Sequence, residues 1–104
     1  MRLISIKEPF SIKPGESIEI ADYNLNVLLK NLSRIMVPKR GDQFIMVLDL
    51  EWKDAKEEVG IDGAFNFTAD FVGKDWQIFR IQIHDIDIMA KNAMLAINTI
   101  NNAI

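Results

Sequence analysis

The sequence has no cysteine, one histidine, five glycines and three prolines among 104 residues. Without cysteine there is no disulfide and no thiol nucleophile. One histidine supplies too few ligands for a zinc site, and no glycine falls into a nucleotide-binding pattern. We therefore predict a protein that is not an enzyme and that needs no cofactor or metal.

Long apolar runs are also missing. Charged residues interrupt every apolar stretch well before the roughly 18 residues of a membrane span. Arg2 precedes a short apolar run that ends at Lys7-Glu8-Pro9, so we expect no secretory signal. The sequence predicts a cytoplasmic protein with no membrane association, in keeping with its lack of cysteine.

The composition is that of one folded domain, which we place at residues 1–104. Apolar residues make up 49% and charged residues 26% of the chain, as is usual for globular proteins. The charge is uneven. Residues 1–41 hold seven Lys/Arg and four Asp/Glu, whereas residues 42–104 hold five and eleven.

The first twenty residues alternate in polarity. Residues 2–7 form one short apolar–polar pattern, and residues 10–12 resume it after Pro9. Pro14-Gly15 is typical of a turn, and Ile18 and Ile20 indicate another strand. We predict an N-terminal β-hairpin.

A helix is predicted next, because apolar residues recur at three- and four-residue spacing. They are Leu25, Leu28, Leu29, Leu32, Ile35 and Met36. Pro38 is expected to end this helix.

Three strands of a meander are predicted after it, at residues 44–52, 65–71 and 79–83, each with one apolar face. Gly73-Lys74-Asp75 suits a tight antiparallel connection between the last two. The polar stretch from Lys53 to Gly63 is expected to be a loop.

A second helix, from Ile88 to about Asn102, is predicted to close the chain. The resulting order is β-β-α-β-β-β-α, an α+β two-layer fold. Its core face would hold Met89, Ala93, Ala96, Ile97 and Ile100.

This closing helix suggests an interface. Its only charge after Asp87 is Lys91, and its remaining apolar residues fall outside the core face. The predicted partner or oligomer surface comprises Ile88, Lys91, Met94 and Leu95. We therefore expect a protein-interaction module that is a homo-oligomer, such as an accessory or inhibitor protein of a phage or mobile element, which acts by covering a partner protein's surface.

Four basic residues offer a different function. Lys30, Arg34, Lys39 and Arg40 lie on or just after the first predicted helix and could form a patch for nucleic acid. Basic side chains at the end of a helix also stabilise its dipole. We favour that structural role, because nucleic-acid binders usually concentrate more charge on one face.

The remaining polar residues give weak signals. His84 stands beside Asp85 and Asp87, which could orient an imidazole, although a solvent-facing histidine is the simpler interpretation. The acidic residues at 54–62 lack the spacing of a calcium-binding loop.

One architectural similarity supplies a further alternative. A meander followed by a C-terminal helix is similar in order to SecB-like export chaperones, although no sequence motif is shared. This similarity implies binding of unfolded polypeptide.

Overall fold

The computed structural model describes residues 2–39, 41–62 and 68–100, and this part of the chain is built from strands. They are β1 Arg2–Ile4, β2 Phe10–Ile12, β3 Ser17–Ile20, β4 Leu25–Val37, β5 Gly41–Trp52, β6 Ala55–Asp62, β7 Thr68–Val72, β8 Ile78–Asp87 and β9 Asn92–Ile100. The only helical segment in these ranges is a short 3-10 turn, Lys74–Trp76. The predicted α+β class is therefore wrong, and the fold is all-β.

The strands form two sheets. One has the order β1-β3-β4-β5-β6 and the other β2-β9-β8-β7. Neighbours are antiparallel except β1 and β3, which are parallel. Side chains from both sheets share one core, as in a β-sandwich. Fully buried members include Ile12, Ile18, Leu48, Phe79, Ile81, Leu95 and Ile97.

An aromatic cluster joins the sheets at one end of the sandwich. The Phe79 ring lies edge-on to Tyr23 and to Trp52, each with ring centres 5.2 Å apart. Phe71 adds a tilted contact at 6.1 Å. The Trp52 indole Nε1 donates a hydrogen bond of 2.9 Å to the Tyr23 carbonyl, which satisfies its buried polar atom.

The first predicted helix is strand β4. Its inward residues are Leu25, Val27 and Leu29, followed by Leu32. A β-bulge between Leu29 and Asn31 inserts one residue and moves the apolar alternation by one position. This shift, together with half-buried apolar residues on the outer face, produced spacings of three and four that imitate a helix.

The closing helix is also absent. Residues 88–91 form a turn, and Asn92–Ile100 is strand β9; residues 101 and 102 lie outside the described ranges. Strand β9 lies between β2 and β8, with Leu95 and Ile97 in the core. Its lack of charge is therefore explained by its central place in the sheet. The similarity in element order to SecB-like chaperones depends on this helix, so it is lost as well.

The N-terminal hairpin and the predicted loop need correction too. Pro14-Gly15 does form a turn, but the strands on either side join different sheets, β2 pairing with β9 and β3 with β4. In the stretch predicted as a loop, residues 53 and 54 form a turn and Ala55–Asp62 is β6, while Gly63 lies outside the described ranges. Strand β6 is an edge strand, and edge strands tolerate charged residues such as Glu57 and Glu58 because one side is open to water.

The predicted three-stranded meander is wrong, because β5 lies in one sheet and β7 and β8 lie in the other, but two of its parts are confirmed. Strand β5 buries its alternating apolar residues from Phe44 to Trp52. Strands β7 and β8 pair antiparallel across the short connection at residues 73–77. Phe65 and Phe67, predicted for the same strand as Phe71, lie outside the described ranges.

We predict effects of very different size at two adjacent positions of β9. Leu95→Glu places an unpaired charge in the core and should reduce the free energy of unfolding by about 4 kcal/mol or more. Met94→Lys, on the outer face, should change it by less than about 1 kcal/mol. Urea denaturation followed by circular dichroism measures both, and equal effects would contradict the strand assignment.

A second prediction concerns the contact between Gly73 and Trp52. A methyl group at Gly73 would lie 2.6 Å from Cε3 of the buried Trp52 ring, so Gly73→Ala should cost about 1–3 kcal/mol. Gly60→Ala is the matched control, because nothing lies within 4 Å of its added methyl group. Thermal unfolding should separate the two variants, and a stable Gly73→Ala protein would refute this packing.

Candidate functional site

A cleft opens at the end of the sandwich where the β4–β5 hairpin faces the β8–β9 turn. Its inner part, about 290 Å³, is lined by Gln43, Phe44, Ile83, His84, Asp85, Ile86 and Ile88. Its outer part, about 420 Å³, is lined by Arg34 and residues 85–89. The two parts share Asp85, Ile86 and Ile88, so we treat them as one site, the end cleft.

A bulge in β8 shapes one wall of the end cleft. Ile83 lies opposite Leu95 on the inner face, and the register then shifts at His84. Beyond the bulge, Ile86 lies opposite the buried Ala93 and thus faces inward again. The bulge brings the apolar side chains Ile83 and Ile86 to the same wall despite their three-residue spacing.

The opposite wall comes from the β4–β5 hairpin. Arg34 lies opposite Phe44, and the preceding inward pair is Leu32 with Met46. Because partners in an antiparallel ladder project to the same face, Arg34 shares the inward face with Phe44. Phe44 is buried, whereas Arg34 is exposed. The second sheet therefore covers Phe44 but leaves Arg34, on the neighbouring strand, open to solvent.

Methionines are the most exposed apolar residues at this end. Met89 in the β8–β9 turn is 87% exposed, and Met36, two residues beyond Arg34, is 68% exposed. Methionine is flexible and polarizable, and adapts to differently shaped apolar partners. The end cleft thus has an apolar floor and an adaptable apolar side chain, Met89, on its rim.

Polar residues also line the end cleft: Gln43, His84 and Asp85 line its inner part, and Asp87 lines its outer part. Asp87 accepts a hydrogen bond of 3.0 Å from the Ala90 backbone N–H and so stabilises the turn. Within the described ranges, the side chains of His84 and Asp85 make no hydrogen bond or ion pair. Both are exposed, and Asp85 lies opposite Met94, which directs it toward the outer face of the sheet.

The predicted interface residues do not form one surface. Ile88 is half-buried and lines the end cleft. Lys91 is exposed in the β8–β9 turn, with a positive φ of 51°. Met94 is 38% exposed and lies opposite Asp85 in the ladder, whereas Leu95 is fully buried. Leu95 therefore has no surface to offer a partner in this fold.

The structure describes three of the four basic residues of the predicted patch. Lys30, at the β4 bulge, lies 3.0 Å from Glu58 and 3.9 Å from Asp49, and this pairing, chiefly the hydrogen bond to Glu58, raises the pKa of Lys30. Arg34 lines the end cleft. Lys39 is exposed in the β4–β5 turn, and Arg40 lies outside the described ranges.

The acidic residues at 54–62 lie in the β5–β6 turn and along β6. Within residues 2–39, 41–62 and 68–100, no three His, Asp or Glu side chains come together as a metal site. In the same ranges, no helix has the length and apolar character needed to cross a membrane.

The sequence contains one signal for the end cleft, which is a break in the alternation of apolar residues. Ile83, Ile86 and Ile88 depart once from strict alternation, and this departure marks the bulge at His84. Phe44 was expected to be an ordinary core residue. Its place in the end cleft depends on which turn faces it, and that is a property of the tertiary fold.

Comparisons with known proteins add no identification: no family model, no curated protein and no solved structure matches the chain. The function is therefore argued from the end cleft.

One ion pair away from the cleft predicts a pH dependence. On the ladder between β7 and β8, the Arg80 guanidinium donates hydrogen bonds of 2.8 and 3.0 Å to the two oxygens of Asp70. This pairing lowers the pKa of Asp70. Stability from the pair is therefore fully present above the ordinary aspartate pKa and is lost as the pH falls through the lowered value.

We expect Asp70→Asn to be slightly less stable than the wild type at neutral pH, because it loses this pair. The difference in free energy of unfolding should vanish in acid, where Asp70 is protonated in both folded and unfolded states. Urea denaturation at several pH values measures it. A difference that is constant down to strongly acidic pH would contradict the pairing.

Proposed function

We propose that this protein is a non-enzymatic binding module that holds a short segment of another protein in the end cleft. The observation that supports this most directly is an open cleft floored by Phe44, Ile86 and Ile88, with the strongly exposed Met89 on its rim. Apolar side chains of this kind bind other apolar groups and do not react with them. We place this activity in the cytoplasm, where a protein without cysteine needs no disulfide.

The dimensions of the end cleft favour a peptide over a small molecule. Ligand pockets for small molecules are usually about 300–1,000 Å³ and enclose most of the ligand. The inner part, at about 290 Å³, is at the lower limit and continues into an outer part. Such a shape suits one anchoring side chain with its flanking residues alongside, as in other peptide-recognition grooves.

The proposal can be tested with a random peptide library displayed on phage. Peptides with a large apolar anchor should be enriched on the wild-type protein, and their affinity can then be measured by fluorescence anisotropy. Ile88→Lys and Met89→Lys should each weaken binding about tenfold or more, because a charge replaces an apolar contact worth about 1.5–3 kcal/mol.

Val72→Lys is the matched control, since it adds the same charge at an exposed apolar residue of β7, opposite Ile78 and far along β8 from the end cleft, and should leave binding unchanged. Met89 is so exposed that its substitution should not unfold the chain, which separates loss of binding from loss of structure. The proposal fails if no peptide is enriched, or if Val72→Lys weakens binding as much as Met89→Lys. Light scattering would show whether a second copy of the chain occupies the cleft instead.

A further inference from the structure

We infer that the segment bound at the end cleft is an extended strand, which adds to an open edge of β4 through main-chain hydrogen bonds. This inference rests on the proposed function and specifies the form in which the partner polypeptide binds. The open edge is the side of residues 31–37 of β4 that faces away from β5.

The open edge begins where the neighbouring strand stops. Strand β3 pairs with β4 only from Leu25 to Leu28, and the turn before β3 extends this contact to Leu29. Beyond that point, in the part of the chain that the structure describes, no strand lies beside β4 on this side. Residues 31–37 still pair with β5 on their other side. They are therefore extended, with one side open.

The hydrogen bonds of Leu29 show which main-chain groups of β4 point away from β5. The Leu29 N–H donates to the Glu16 carbonyl at 3.1 Å, and the Leu29 carbonyl accepts from the Gly15 N–H at 2.8 Å. Leu29 lies opposite Leu48 in the ladder with β5. Because both main-chain groups of Leu29 are directed toward the turn before β3, Leu29 and Leu48 are a non-hydrogen-bonded pair.

The same direction recurs at every second position after the β4 bulge. Opposed pairs in an antiparallel ladder alternate between hydrogen-bonded and non-hydrogen-bonded. Met46 is two residues from Leu48 along β5 and lies opposite Leu32, so the N–H and C=O of Leu32 point away from β5. Those of Met36, four residues further along β4, do the same. Within residues 2–39, 41–62 and 68–100, neither Leu32 nor Met36 makes a main-chain hydrogen bond on this side.

Main-chain donors and acceptors at this spacing match a second extended polypeptide, as in other complexes that add a strand to a sheet. The added strand would lie beside the end cleft, because Arg34, midway along the open edge, lines the outer part. Side chains of a strand alternate between two faces, so every second side chain of the added strand would lie on the inward face beside Arg34. An apolar side chain at such a position can enter the end cleft.

The open edge has few of the features that prevent pairing between sheets. Natural edge strands are usually protected by charged side chains, by proline or by short length. Strand β6, at the edge of the same sheet, has Lys56, Glu57 and Glu58 in succession. In residues 31–37 the only charged residue is Arg34, and proline follows only at Pro38. This contrast supports a pairing role for the open edge.

The experiment uses a peptide enriched from the displayed library and two N-methylated forms of it, one methylated at odd-numbered and one at even-numbered positions. A strand at a sheet edge donates hydrogen bonds from alternate residues only. In fluorescence anisotropy, one form should therefore bind about tenfold more weakly than the unmodified peptide, and the other within about twofold of it.

Met36→Pro tests the same bonds from the side of the protein. It removes one outward main-chain donor and should weaken binding about fivefold more than Met36→Ala does. Met36→Ala is the matched control, because it removes the side chain and keeps the N–H. Proline is tolerated at an edge position whose N–H is outside the ladder, so circular dichroism should show both variants folded.

Equal effects of the two methylation patterns, or equal affinities of Met36→Pro and Met36→Ala, would overturn the inference while leaving a peptide-binding cleft in place. A second copy of the chain on the open edge would also overturn it. That outcome would be seen as exchange of the Met36 amide hydrogen that slows as protein concentration rises without peptide. If no peptide is enriched, or if binding survives Met89→Lys, the proposed function itself fails.

Discussion

The structure depends on one constraint: the apolar inner faces of two sheets must cover each other. At one end Phe79 packs edge-on against Tyr23 and Trp52 and joins the two sheets. At the other end the β4–β5 hairpin and the β8–β9 turn leave part of their inward surface open. At the end cleft the two sheets no longer cover each other's inner faces. A partner that buried the apolar surface left open there would gain free energy.

Two β-bulges determine how the sequence meets this constraint. Each inserts one residue, Lys30 in β4 and His84 in β8, and so moves the alternation of inward residues by one position. A bulge also increases the local twist of a strand. In β8 the bulge returns Ile86 to the inner wall. The same device that completes the fold therefore supplies the apolar floor of the end cleft.

The sequence predicted those strands whose alternation is uninterrupted. Strand β5 and the β7–β8 connection follow from local pattern and turn residues alone. The sequence of strand β4 resembles that of a helix, because its bulge lengthens one spacing between inward apolar residues from two to three. Strand β9 was mistaken for a helix because Ala96, Ile97 and their neighbours give a central strand no clear polar face. Pairing between β2 and β9 links distant parts of the chain, which local pattern does not encode.

The candidate site was less predictable than the fold. Ile88 and Arg34 were singled out from the sequence, but for two different functions, and the structure places both at the end cleft. Leu95 was wrongly expected at a surface because the lack of charge in its segment was attributed to an interface. In a β-sandwich, a segment without charged residues can simply be a central strand, and no partner is needed to explain it. A central strand does not explain why Met89 is exposed.

The central claim is that the end cleft is the binding surface. Backbone amide chemical shifts, recorded by nuclear magnetic resonance while a peptide enriched from the displayed library is added, test it most directly. The account predicts that the shifts which change form one cluster, at Arg34, Phe44 and residues 83–89. Changes confined to the outer faces of the sheets, or no changes at saturating peptide, would contradict it.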